Sequence, residues 1–433
     1  VSKYKIGTMT GVAIVVANMI GTGVFTSLGF QLKDLNNVPA ILTLWVMGGV
    51  LALSGAFSYA EVGTVIKKSG GEFAFLSKIY GPLVGYLSGW ISLTVGFAAP
   101  IALSAIAVVE YFPYGSDNVK LVGIALIALI TFVHVQNLRT SSKFQNIGTL
   151  LKVVLIVGFI LFGLLTPAQA HIDLALGDEY FKEVGSAAFA VALVYVSYSY
   201  SGWNAAAYIT EEFKRPSKSL PIALIGGTFL VTVLYVMLQY IFLRNVPMEE
   251  LVGQIDIGAI VAKKLLGEEY GNLFGVAISL LLISGISAMV WVGPRVTSSM
   301  AKVYGLWGYF KPRKEGEIPK RALWFQFFIS CVLILTGTFE QILIYCGVLL
   351  SISSLLVVMG VFKLRGSRDH QNGEAYKSPL FPLFQILYVV LSLWMIIFVF
   401  TNNTYETLAG LANLILGLAT YYINKRMYNK KKT

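Results

Sequence analysis

The sequence predicts an all-α polytopic membrane protein, and three observations carry that expectation. Hydrophobic residues fill 56% of the 433 positions and charged residues only 13%, about half the charged share of a soluble domain. The apolar residues gather into runs that reach or approach the roughly 20 residues a helix needs to cross a bilayer. The basic residues gather in the short connectors between those runs. A mean hydropathy of +0.72 excludes disorder, and a chain this long with two cysteines is no disulfide scaffold. Soluble multidomain enzyme chemistry is excluded too, because no soluble core absorbs apolar runs so long and so numerous.

Twelve runs read as helices, near residues 8–32, 38–65, 82–111, 119–137, 145–166, 184–210, 219–243, 272–303, 322–337, 339–364, 381–401 and 405–424. The first leads straight into a long helical pattern, so it is read as a span and not as a cleavable leader. An even number of spans puts both termini on one side. Of the 33 Lys and Arg residues, 26 fall on that side, six (Lys33, Lys120, Lys182, Arg244, Lys263, Lys264) on the other, and Lys152 lies inside the fifth run. Cytoplasmic loops carry such an excess, so both termini are expected in the cytoplasm. The net charge of +11 is then a topology signal. It does not read as nucleic-acid binding, which needs a soluble basic patch with interleaved aromatics. The outer connector 245–271 mixes apolar and charged residues. It reads as an amphipathic lid or as a solvated loop helix.

Cys331 and Cys346 lie within apolar runs and read as small core hydrophobes. His134, His171 and His370 are scattered over connectors and helix ends, so neither a metal site nor a cofactor is expected.

Two runs look interrupted: Asn18-Met19-Ile20-Gly21-Thr22-Gly23-Val24-Phe25 in the first, and Tyr195-Val196-Ser197-Tyr198-Ser199-Tyr200-Ser201-Gly202-Trp203-Asn204 in the sixth. Glycine and serine permit unwinding there, and non-helical backbone within a membrane is tolerated only beside protein or a cavity. A lone Gly-x-Gly more often marks close helix packing. Here the two stretches occupy corresponding places, each in the first helix of a five-helix block. Paired discontinuous helices point to a transporter with inverted repeats and a midplane site. The expected division is a first repeat over 1–166 (helices 1–5), a second over 184–364 (helices 6–10), and helices 11–12 with a basic tail over 381–433.

Gly21-Thr22-Gly23-Val24-Phe25 resembles the G-[ST]-G-[IV]-F unwound segment of the amino acid–polyamine–organocation (APC) superfamily. Ser58-Tyr59-Ala60-Glu61-Val62-Gly63, followed by Lys68-Ser69-Gly70-Gly71-Glu72-Phe73, resembles the helix 2 motif of its L-type amino acid transporter (LAT) branch. Ser201-Gly202-Trp203-Asn204 and Tyr208-Ile209-Thr210-Glu211-Glu212 match that branch's GW-[ND]…TEE pattern. The resemblance covers the whole chain and weakens after helix 8. It implies twelve transmembrane helices, a LeuT-type 5+5 inverted repeat plus two C-terminal helices.

The resemblance also implies roles. The amides of Gly21, Thr22 and Gly23 would meet the substrate α-carboxylate, as the positive end of a half-helix favours an anion. Carbonyls of Met19, Tyr198, Ser199 and Ser201 would meet the α-ammonium. Tyr198 falls where the family has an aromatic gate; a packed tyrosine is the plainer reading. Lys152 lies about eight residues into helix 5, roughly 12 Å deep. It matches the lysine whose ammonium replaces sodium between helices 1 and 8, unless its stem snorkels to the interface. Glu61 reads as half of an inner-gate ion pair with Lys67 or Lys68 ahead of a proton carrier, and Arg295 as a gate or anchor. Helix 8 departs from the pattern, since Ser284-Gly285-Ile286-Ser287-Ala288-Met289 lacks the usual asparagine.

The function implied is secondary active transport of amino acids by alternating access. Sodium-independent exchange of small or mid-sized neutral L-amino acids comes first: Lys152 matches the lysine that replaces sodium, and Ser201 stands where some cation-accepting relatives carry aspartate. Proton-coupled uptake is the alternative. An integral membrane enzyme would need a nucleophile with its base, a metal cluster or a carboxylate pair at depth, and none is visible. A channel would show a repeated pore ring. Animal relatives pair with a glycoprotein through a cysteine in an outer loop; neither cysteine here is in a loop, so no obligate partner subunit is expected. Membrane lipid and the amino acid are the expected partners.

Overall fold

The computed structural model describes residues 5–113, 115–136, 141–311, 319–366 and 375–430. Lys3, Arg139, Arg313, Lys314, Arg368, His370, Lys431 and Lys432, which enter the charge count or the histidine reading, lie outside them. Within the described residues every regular element is helical, and the one exception to helix pairing is an isolated parallel bridge between Ile6 and Phe213. That is what hydrocarbon demands, since a helix satisfies its own N–H and C=O groups.

In chain order the helices are α1 (Thr8–Met19), α2 (Gly23–Gln31), α3 (Val38–Ile66), α4 (Gly71–Tyr80), α5 (Pro82–Ile91), α6 (Ala98–Glu110), α7 (Val119–Gln136), α8 (Ser141–Leu165) and α9 (Asp178–Val184). They continue as α10 (Ala187–Tyr200), α11 (Pro216–Asn245), α12 (Met248–Leu251), α13 (Ile257–Leu266), α14 (Glu268–Val303), α15 (Lys320–Thr336), α16 (Phe339–Arg365), α17 (Leu383–Asn402) and α18 (Thr404–Lys430). Side-chain caps mark several starts: the Asn37 Oδ1 accepts from the Ala40 amide at α3, Ser186 caps α10, and Thr338 with Gln341 forms a capping box at α16.

Among the described residues nine helices are long and apolar enough to cross a membrane, or ten if the bent pair spanning 178–212 is one span. The chain is therefore a multi-pass membrane protein. The fifth and ninth expected runs are present as α8 and α15 but fall outside that count. The apolar part of α8 is the stretch Leu150–Leu165, and α15 has 17 residues.

The boundaries depart from the expected ones in instructive places. The first run splits at 20–22 and the sixth at 201–204, so the Tyr195–Tyr200 part of the expected interruption stays helical. The third run carries a π-helical turn at Ser92–Gly96. Helix α4 lies in a connector with no apolar run to announce it. Gly70 and Gly81, at φ +119° and +95°, turn the chain at its two ends. The 245–271 connector forms α12 and α13 and lies on the helical core as a lid: the Gly253 amide donates to the Gly29 carbonyl (2.8 Å), and the Gly258 amide donates to the Tyr111 hydroxyl (3.0 Å). The face where α1 begins is called inner below, and the face where α2 ends outer.

Packing separates core from rim. In the most apolar stretch of the α5–α6 span 83% of residues are buried, against 11% in α18, so α18 faces lipid and α6 the centre. Helix α11 packs along both α1 and α3, and α10 lies against α2, α3 and α16. The two broken helices thus sit side by side in the middle of the protein.

Candidate functional site

At the first break α1 ends at Met19, and Ile20 leaves the helix with ψ 89°. The freed carbonyls are held by side chains from neighbouring helices. The Tyr235 hydroxyl of α11 donates to the Met19 carbonyl (2.6 Å), and the Lys152 ammonium of α8 donates to the Ile20 carbonyl (2.9 Å). One turn along α11, Gln239 donates from Nε2 to the Val24 carbonyl (2.8 Å). Helix α11 therefore splints both halves of the broken helix. The amides fare differently. That of Gly21 faces the Tyr235 hydroxyl, while those of Thr22 and Gly23 make no hydrogen bond among the described residues. Both point out of the start of α2, where the helix dipole is positive.

The second break has the opposite polarity. Helix α10 ends at Tyr200, the Ser201 amide turns back to the Tyr198 carbonyl (2.9 Å), and Gly202 adopts φ +99°. A 3-10 segment, Ala205–Glu212, follows. The carbonyls of Ser199 and Ser201 accept nothing among the described residues. They open at the negative end of α10. Of the four carbonyls implicated from sequence, those of Met19 and Tyr198 already have donors.

The two breaks touch. A Cβ on Gly23 would lie 2.6 Å from the Ser199 Cα, and one on Gly202 would lie 2.6 Å from the Asn18 carbonyl oxygen. Glycine is needed at both positions for this approach. Ser27 and Ser199 share a hydrogen bond (2.8 Å), and the Tyr198 hydroxyl faces that of Thr22 while its ring lies by Cys346 of α16. An amide-rich helix start and a carbonyl-rich helix end thus lie edge to edge.

Lys152 is 7% exposed, and a Cβ on Gly285 of α14 would lie 3.6 Å from its nitrogen. Its ammonium therefore sits between the first break and α14, and its stem does not snorkel.

Latches close both faces. Outside, Lys33 pairs with Glu340 (2.6 Å), Tyr195 donates to the same carboxylate (2.7 Å), and Phe30 stacks on Phe339. Inside, the Ile6 amide donates to the Glu212 carbonyl (2.8 Å) and the Lys214 amide to the Ile6 carbonyl (3.1 Å). Glu61 is wholly buried, and its partner differs from the expected one. Arg365 at the end of α16 grips it with two bonds (2.6 and 2.8 Å), the Ser378 amide adds a third (2.8 Å), and Lys67 and Lys68 are exposed. The nearby lysines can be solvated, whereas a buried carboxylate takes the cation that reaches it in the fold. Arg295 lies over the Trp291 ring and within electrostatic reach of Glu212 on the inner side.

Sequence reasoning passed over Tyr235, Gln239, Glu340 and Arg365. Tyr235 and Gln239 carried a signal, being polar residues four apart within an apolar run. No group of three His, Cys, Asp or Glu able to hold a metal occurs among the described residues.

Comparison with known proteins agrees on one family. The family described as amino acid permease matches residues 6–419. The serine/threonine exchanger SteT of Bacillus subtilis (strain 168) is 27% identical over 98% of this chain and 97% of its own length. The large neutral amino acids transporter small subunit 2 of Homo sapiens is 26% identical, covering 99% and 82%. The b(0,+)-type amino acid transporter 1 of Mus musculus is 27% identical, covering 97% and 88%.

Proposed function

This chain belongs to the amino acid permease family of the APC superfamily, and we propose that it exchanges small or mid-sized neutral L-amino acids across the cell membrane by sodium-independent alternating access. The observation that carries the reading is the opposed polarity of the two breaks. A zwitterion needs an anion site and a cation site a few ångströms apart, and open amides beside open carbonyls supply both. In this reading Gly21, Thr22 and Gly23 hold the carboxylate, Ser199 and Ser201 hold the ammonium with Met19 and Tyr198 beside them, and Tyr198 closes over the side chain. Backbone groups bind what all amino acids share. Ser201, uncharged, leaves no counter-ion for a cationic side chain.

Lys152 stands in for a coupling cation, its fixed charge bridging the first break to α14. Glu61 with Arg365, and Arg295 facing Glu212, act as inner-gate residues. The fold proposed is the twelve-span LeuT-type arrangement, with repeats over 1–166 and 184–364, helices 11–12 over 381–433, and both termini cytoplasmic. The basic bias of the inner connectors supports that orientation. We propose that the chain works without a partner subunit, because Cys331 and Cys346 both lie within helices. The relative named as a small subunit supports the contrary reading, and co-purification from native membranes decides between them.

The test is uptake of labelled amino acids into proteoliposomes. Uptake should need unlabelled neutral amino acid inside and should ignore sodium. Uptake into empty vesicles that follows a proton gradient would replace exchange with proton-coupled entry. Failure to move any amino acid would sink the reading.

A further inference from the structure

Between α8 and α14 runs a groove of about 480 Å³ whose lining side chains are all apolar. Phe162 of α8, Leu266 of α13 and Phe274 of α14 frame its outer end, and Leu151 and Leu281 its deep end. Leu151 and Phe162 are exposed, so in a membrane the groove opens sideways into hydrocarbon. Midway stand the small residues Gly158 and Ala277, and a Cβ on Gly158 would meet nothing within 4 Å. From Leu151 to Phe162, at about 1.5 Å per residue, the groove runs about 16 Å. One leaflet of bilayer hydrocarbon is about 15 Å thick. The volume spread over that length gives a cross-section of about 30 Å², too narrow for a helix about 10 Å across. The outer end is charged. Arg244 of α11 donates from Nη1 to the Gly163 and Leu164 carbonyls that close α8 (2.6 and 3.4 Å), and its Nε and Nη2 make no hydrogen bond among the described residues. Lys263 and Lys264 already face Glu268 and Glu250, whereas no carboxylate pairs with Arg244 among the described residues. The open edge of a guanidinium matches a phosphate.

We propose that this groove is a lipid site, seating one acyl chain of a phospholipid from the outer leaflet whose phosphate meets Arg244. The chain ends at Leu151 and Leu281, next to Lys152 in α8 and one turn from Gly285 in α14. Those are the residues between which the buried ammonium lies. An empty apolar channel leaves its lining atoms without partners, which draws the walls together. A chain in place keeps α8 spaced from α14 and holds the Lys152 ammonium on the Ile20 carbonyl. The seat itself is independent of the transport reading. Its effect on amino acid binding rests on that reading.

The probe is a phosphatidylglycerol with a photoreactive diazirine midway along one chain, incorporated with the full chain into vesicles that are then washed with detergent. Photolysis should label 151–162 and 274–281 about tenfold more than the exposed face of α18, which meets bulk lipid alone. A diacylglycerol with the same chains lacks the phosphate and should label the groove about tenfold less, the worth of a charge-assisted hydrogen bond. Arg244→Gln should abolish that preference. Gly158→Leu and, from the facing wall, Ala277→Leu should each cut labelling about tenfold by filling the groove. Leucine favours a helix over glycine, so α8 still forms. Wild-type protein stripped of phospholipid should bind neutral L-amino acids about fivefold more weakly and recover when phosphatidylglycerol is returned. Gly158→Leu, with a side chain in place of the lipid, should not respond. Equal labelling of groove and α18, labelling unchanged in the filled variants, or indifference to the phosphate overturns the proposal. So does amino acid binding that ignores stripping in the wild type or depends on lipid in Gly158→Leu. If the groove labels as expected and no amino acid binds under any condition, the transport reading fails and the lipid site stands.

Discussion

The break at 20–22 and the break at 201–204 interrupt similar helices, yet they expose opposite ends of the peptide group. At the first, side chains from α8 and α11 take the carbonyls of Met19, Ile20 and Val24, and the amides of Thr22 and Gly23 stay open among the described residues. At the second, no hydrogen bond from the described residues reaches the carbonyls of Ser199 and Ser201. The difference lies less in the broken segments than in their neighbours. Lys152, Tyr235 and Gln239 are all donors, and all three face the first break. By satisfying its acceptors they leave it with donors alone. A break without such neighbours exposes acceptors, because serine and glycine offer no cation to fill them.

Removing a neighbour tests this most severely. Lys152→Ala leaves the Ile20 carbonyl without its charged donor and empties the space between the first break and Gly285 of α14. Exchange should fall on the order of a hundredfold, the rate equivalent of a charged hydrogen bond. Thermal stability in detergent should change much less. Sodium-independent exchange at the normal rate would mean that the first break holds its shape unaided.

Steric closure comes next, and the two glycines of the first break should part company. Gly23→Ala drives a methyl into the Ser199 backbone, whereas a Cβ on Gly21 meets nothing nearer than the Met19 carbonyl at 3.9 Å. Overpacking of this kind costs about 2 kcal/mol, or about thirtyfold in amino acid affinity. Gly21→Ala should stay within about threefold, since its φ is one any residue adopts. Equal losses in a binding assay would show that contact between the breaks does not set the site.

A charge placed at the second break would sharpen its assignment as the cation end. Ser201→Asp should raise arginine affinity relative to leucine by about tenfold in competition binding, as a partly desolvated carboxylate attracts a cation strongly. An unchanged ratio moves the side-chain pocket elsewhere.

The mildest change is Gln239→Leu. The Val24 carbonyl keeps its helical partner, so the loss of a supplementary bond should raise KM about fivefold, near 1 kcal/mol, with kcat almost unmoved. A larger effect on kcat than on KM would place Gln239 in the motion itself.

The sequence by itself determined that the chain spans the membrane in helices, which helices break, and which glycines lie at the breaks. Those follow from local rules: apolar length, the tolerance of glycine and serine for unwound backbone, and the cost of a lysine among apolar residues. Sequence placed Lys152 at depth but could not say what its ammonium touches. It put Glu61 beside Lys67 and Lys68 because they are near in the chain, while the cation that pairs with it, Arg365, is about 300 positions away. Tyr235 and Gln239 stand out as polar residues in an apolar run, but the carbonyls they hold lie about 215 positions away. That distance also hid that the Met19 carbonyl is already paired, so that amides face the site from one break and carbonyls from the other. Only the tertiary structure decided these, because the partner of a buried polar group is whichever side chain the packing of other helices brings within hydrogen-bond reach.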